Sequence, residues 1–160
     1  MLKKIVLCGF LILSGCSLDK QTHDHITSCG ALSIESLLID DRKSVNSKEV
    51  SQYILENNWF GDSLRNFLGF IDRRMYSITF PAELENTLNH YGYKFTLVYG
   101  DFDTLKDLVK KKHRGIVLIH NTSDWNYHWI EFPQPGTEKT AYIEGYFGNN
   151  TVVVLIYVVY

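Results

Sequence analysis

Three residues of this 160-residue chain have the types and spacing of a nucleophile, a base and an orienting acid: Cys29, His128 and Glu144. Cys29 stands in Ser28-Cys29-Gly30-Ala31, where a hydroxyl precedes apolar residues at helical spacing, so the thiol falls on the first turn of a helix. There, unpaired N–H groups and the helix dipole stabilise a thiolate, the small Gly30 leaves the sulfur accessible, and the Cys29 N–H is placed to bind an oxyanion. The competing reading of the segment is a small residue packed on an apolar helix. His128 lies in Tyr127-His128-Trp129-Ile130-Glu131-Phe132, whose alternation puts it on the inward face with Ile130 and Phe132, and puts Glu131 on the other. If the next turn centres on Gly136, a hairpin sets His128 opposite Glu144, with Cβ atoms about 4.5 to 5.5 Å apart. Glu144 would then accept the second ring N–H of His128 and hold the imidazole in place, with Asp124 in the preceding loop as an alternative acid. A polar cross-strand pair without catalytic duty satisfies the same register.

The N-terminus bears on the compartment. Leu13-Ser14-Gly15-Cys16 closes an apolar run that follows Lys3 and Lys4, and it resembles a bacterial lipobox. The resemblance implies that residues 1–15 are a lipoprotein signal peptide and that Cys16 takes a diacylglyceryl thioether and becomes an acylated first residue. The nine residues 5–13, at about 1.5 Å each, are too short to cross a hydrocarbon core of roughly 30 Å. An ordinary signal peptide cut near Gly15 and an uncleaved anchor are the alternatives. Ser17 after the lipidated position resembles outer-membrane sorting, which in a Gram-negative cell means the periplasmic face. Processing discards Cys8 and consumes Cys16, so Cys29 is expected to be the only free thiol, without an internal partner.

Sixteen basic residues include Lys3 and Lys4, and against 18 acidic ones the processed chain is near a net charge of −4. No basic face interleaved with aromatics is visible, so nucleic-acid binding is disfavoured. The cluster Lys110-Lys111-Lys112-His113-Arg114 reads as a solvated helix end. Residues 16–26 are polar and aperiodic, the composition of a tether. Twelve residues separate Cys16 from Cys29, which keeps the thiol within roughly 40 Å of the lipid. Residues 27–160 form one domain.

Positioning the three groups needs two kinds of structure. Helices are expected from Thr27 or Ser28, from a capping box at Asn46 and Glu49 to about Asn57, over 64–71, and from Pro81 to a C-cap at Gly92. Residues 93–99 read as a strand, Asp103 as the cap of a helix stopped by Gly115, and 116–119 and 127–132 as strands. Residues 141–146 should return antiparallel to 127–132. The uncharged, β-branched run 151–160 reads as a buried central strand, being half the length of a membrane span. The fold class is α+β, with a helical N-terminal half carrying the nucleophile at a helix start and packed on an antiparallel C-terminal sheet.

A Cys-Gly at a helix start, a strand His in the second half and an acid sixteen residues later resemble the C39-like branch of the papain-fold cysteine peptidases, over residues 29–146. The resemblance implies a papain-like fold with Cys29 as nucleophile, His128 as general base and Glu144 as orienter. It also implies an oxyanion side chain about six residues before the nucleophile. His23 occupies that position, with Gln21 two residues earlier, where the family has Gln. The family usually reads Cys-Gly-Pro-Ala where Cys29-Gly30-Ala31-Leu32 stands, and Asp where Glu144 stands. The expected function is a membrane-anchored, extracytoplasmic thiol hydrolase that cuts a peptide or isopeptide bond, with no cofactor and as a monomer. Two alternatives stay open: a transglutaminase or cell-wall amidase type of acyl transfer, and an inactive binding or assembly module on the same fold. His23-Asp24-His25 is not read as a metal site, because adjacent ligands in a tether lack a second cluster.

Overall fold

The computed structural model describes residues 28–57, 79–123, 126–133, 145 and 150–160. Helix α1, Cys29–Asp40, starts at the expected hydroxyl: Ser28 is extended, and its Oγ accepts the Ala31 N–H at 3.2 Å. Helix α2, Ser47–Asn57, opens on Asn46, whose Oδ1 accepts the Glu49 N–H at 3.0 Å. Helix α3, Pro81–His90, has proline in its first turn, and Glu83 Oε2 accepts the Phe80 N–H at 2.8 Å. Gly92, at φ 84, turns the chain out of that helix in a left-handed conformation that costs glycine little. Strand β1 is Phe95–Val98, followed by α4, Phe102–Lys110, and by β2, Arg114–Asn121, β3, Asn126–Phe132, and β4, Thr151–Val159.

Two boundaries differ from expectation. Asp101 rather than Asp103 caps α4, because Asp101 has the extended backbone of a cap and its Oδ1 accepts the Thr104 N–H at 3.0 Å, while Asp103 already lies in the first turn. Gly115 does not stop α4. Lys112 takes the left-handed turn at φ 60, and Gly115 sits inside β2. The helix expected over 64–71, the turn at Gly136 and the strand over 141–146 lie outside the described residues.

The described residues form an α+β fold of four helices and a four-stranded sheet in the order β1-β4-β2-β3, with every neighbouring pair antiparallel. The uncharged run 151–160 supplies β4, which lies between β1 and β2 as its composition requires. Both faces of the sheet are covered. Ile116, Leu118, Trp129, Leu155 and Tyr157 pack with Ala31, Ile34, Leu37, Leu38, Val50, Leu84 and Leu88 of α1, α2 and α3. Val117, Ile119, Ile130, Phe132, Ile156 and Val158 pack with Leu105 of α4 on the reverse face. This two-sided burial explains why β2 and β4 read as nearly continuous apolar runs rather than alternating ones.

The far end of α1 is fastened to the sheet. Asp41, its C-cap, meets Arg114 at 2.7 Å and accepts the Tyr93 O–H at 2.7 Å. The Arg114 guanidinium holds the Asp41 carboxyl below the usual carboxylate range, and burial pushes the Tyr93 phenol up.

Candidate active site

The start of α1 is held by a short chain of hydrogen bonds. Thr79 Oγ1 donates to Ser28 Oγ at 2.5 Å, and Trp129 Nε1 on β3 donates to the Thr79 carbonyl at 2.9 Å. Thr79 thus joins the cap of α1 to the strand that carries His128. Gly30 is needed for this approach, since a Cβ there would lie 2.6 Å from the Thr79 side chain. Replacing Thr79 by valine keeps the shape and removes the buried donor to Ser28. Urea denaturation is expected to show a loss of about 1 to 2 kcal/mol with an unchanged slope, and an unaltered midpoint would mean that this bond does not fix the helix start.

Cys29 follows the cap directly and is 5% exposed. Its carbonyl accepts Ser33 Oγ at 3.0 Å, and no acidic residue stands in the first turn to cancel the positive end of the helix dipole. The expectation of a free thiol is corrected here: Cys29 is disulfide-bonded, and its partner lies outside the described residues, as do both other cysteines of the sequence, Cys8 and Cys16.

A cleft of about 200 Å³ runs between α1 and β3. Cys29, Leu32, Ser33 and Ser36 form one wall, and His128, Trp129, Ile130 and Glu131 the other. The structure therefore brings Cys29 and His128 to one cavity. They approach it from different sides of β3. Trp129 belongs to the cluster that contains Cys29, whereas His128 alternates with Ile130 and Phe132 and pairs with Ile119, all three in the cluster under α4. The cleft follows the flank of β3, where the two faces meet. Burial pushes the His128 pKa down to about 4, so the ring is uncharged at neutral pH and has a lone pair to accept a proton.

Glu144, Asp124, His23, Gln21 and Cys16, the expected lipidation position, lie outside the described residues. Glu131 points to the face opposite His128, as alternation predicts, and that face meets α1: the side chain is 4% exposed, lines the Cys29 cleft and accepts a hydrogen bond from Ser36 Oγ. The signal for it in the sequence is the polar stripe Cys29, Ser33, Ser36 at helical spacing, which needs polar company on the facing strand. Among the described residues no group of three or more His, Cys, Asp or Glu could hold a metal ion, and no helix is long and apolar enough to cross a membrane.

Compared with protein-family models, curated proteins and solved structures, the chain matches none.

Proposed function

We propose that the chain is a lipid-anchored, extracytoplasmic thiol hydrolase of papain-like arrangement that cleaves a peptide or isopeptide bond, with Cys29 as nucleophile and His128 as general base. The observation that carries the reading is the single cleft bordered by a cysteine at a helix start and by an uncharged histidine. The acting form has Cys29 reduced. Cleavage before Cys16 would remove Cys8, and acylation would consume the Cys16 thiol, so the processed chain would hold no second cysteine for an internal bridge.

In this reaction His128 takes the Cys29 proton, and the sulfur bonds to the carbonyl carbon. The resulting oxyanion lies at the N–H groups that open α1. The C–N bond then breaks as His128 returns the proton to the leaving amine. Water adds to the thioester with His128 accepting its proton, and the C–S bond breaks to release acid and thiol. Glu144 remains the orienting acid of the proposal. Glu131 is on the wrong side of β3 for that role and shapes the cleft instead.

A second reading, an inactive binding module, is favoured by one observation: Cys29 is bonded and almost wholly buried. An electrophilic thiol probe applied to the processed, reduced protein separates the two. The hydrolase requires rapid labelling that vanishes in Cys29→Ala and slows by about 100-fold or more in His128→Ala. Slow labelling that ignores His128 means the inactive module.

A further inference from the structure

Folding gathers cations that are scattered along the sequence. Arg42 and Lys43 follow α1, Lys94 precedes β1, and Lys111, Lys112 and Arg114 join α4 to β2. They meet at one pole because β1 and β2 both begin where β4 ends: Phe95 and Arg114 each pair with Val159, and the Tyr160 N–H donates to the Lys94 carbonyl at 2.9 Å. Around Tyr93, Lys43 Nζ lies 4.8 Å and the Arg114 guanidinium 6.0 Å from the ring centre. The His113 ring stands 6.4 Å from Tyr160. Lys110 adds a further exposed cation at the end of α4. The carboxylates of the described residues near this pole include Asp40 and Asp41, which act on Arg114, Glu131, which acts on Tyr93 from the buried side, Glu49, which acts on Tyr91, and Asp107. Asp41 is taken by Arg114, and Asp107 pairs with Lys110 at 3.7 Å. Arg42, Lys43, Lys94, Lys111 and Lys112 are exposed to solvent, in a chain whose formal charge is −2.

Two exposed apolar side chains accompany the cations, Tyr160 at 64% and Ile39 at 59% exposure. Exposed lysines sharing one pole with an exposed aromatic and an exposed aliphatic side chain are the composition of a surface that rests on lipid headgroups: the cations meet phosphates, and the apolar groups enter the boundary below. We propose that this pole docks on anionic phospholipid. The choice of lipid over another polyanion rests on the anchor in the reading above, not on the catalytic part of it. The pole lies at the C-terminal end of α1 and Cys29 at the other, separated by twelve residues at about 1.5 Å each, or roughly 18 Å. Docking therefore leaves the cleft raised above the membrane. A tether reaching roughly 40 Å allows that posture.

The test uses the full chain made by cell-free synthesis without lipidating enzymes, so that no acyl group contributes and failure of the anchor does not affect the result. Binding is measured to vesicles of phosphatidylcholine alone and with about 30% phosphatidylglycerol, at about 0.1 M and 0.5 M salt. The leader, with Lys3 and Lys4, is common to every variant, so the loss on substitution at the pole reads the charge of the pole. The expected preference for the anionic vesicles is about tenfold or more at the lower salt and is lost at the higher. Lys94→Gln/Lys111→Gln/Lys112→Gln should remove most of it, whereas Lys48→Gln, at an exposed position on α2, should not. Equal binding to both vesicles, or an equal loss from the Lys48 and triple variants, overturns the proposal. So does tighter binding to soluble polyphosphate than to anionic vesicles. If the triple variant fails to fold, the single variants Lys94→Gln and Lys111→Gln, each expected to lose part of the preference that Lys48→Gln keeps, decide instead.

Discussion

Lowering the pH from 6.5 to 4 is expected to remove about 3 kcal/mol of folding stability through His128 alone. The unfolded ring titrates near 6.5, whereas burial holds the folded ring at about 4, so between these values the unfolded chain binds a proton that the folded chain refuses. The stabilising contribution is thus complete above the unfolded value and is lost as pH falls through the folded one. Asp41, also shifted down, acts in the same direction, but its window opens only below its ordinary value of 3.8. The two effects are therefore separable along the pH axis. Urea midpoints at pH 7.5, 5.5 and 4.5 measure the first, with His128→Gln as the control that cannot titrate. The variant should have a much flatter profile over that range. Parallel profiles for the two proteins would mean that the imidazole is solvated, which would also remove the physical basis for keeping it uncharged beside a nucleophile.

Gly115→Ala should prevent stable folding. A Cβ at this position would lie 1.7 Å from the Tyr157 carbonyl oxygen, which is backbone of the neighbouring strand and cannot swing away as a side-chain end could. Relief requires β2 and β4 to separate where Gly115 pairs with Val158, and these strands form the interior of the sheet. The cost belongs with the most damaging substitutions, about 4 kcal/mol or more, comparable to the entire stability of many domains this size. Gly92→Ala is the informative contrast. It has open space and a left-handed φ of 84, so backbone strain of about 1 to 2 kcal/mol is all that opposes the change. Circular dichroism should show a cooperative thermal transition for the Gly92 variant and none for the Gly115 variant. Similar melting of both would mean that the approach of β2 to β4 is looser than described.

Helix starts were legible because their signals are local: a serine three residues before an N–H, an asparagine before a glutamate, a proline in a first turn. Ser28, Asn46 and Pro81 all mark the starts of described helices. The central position of β4 was legible from the absence of charge over 151–159. The cap of α4 was misplaced by two residues because Asp101 and Asp103 are the same residue type, and only backbone conformation separates them. Gly115 reads as a helix stop or as a close approach between strands, and one sequence cannot distinguish these. The largest difference concerns β3. Alternation divides His128, Ile130 and Phe132 from Trp129 and Glu131, but alternation implies a sheet buried on one face, and this one is buried on both. Which face met α1 was a tertiary fact. Cys29 came to lie with Trp129 and Glu131, and His128 reaches the shared cleft from the reverse side. The disulfide is not legible in the sequence, because a leader and a lipobox already account for Cys8 and Cys16.

The order in which the sheet must be assembled has a kinetic side. Neither β1 nor β3 pairs with its successor in sequence: β1 waits for β4, and β2, already paired with β3, gains its second neighbour only when β4 inserts. Some fifty residues of chain pass between β1 and the strand that completes it, so closure is slow relative to helix formation. The helices and the β2–β3 pair can form as the chain is made, but β1 has no partner strand until β4 arrives. The sheet therefore closes only when its last-made strand enters the interior, so the edge strand made first is the one that waits longest for its partner.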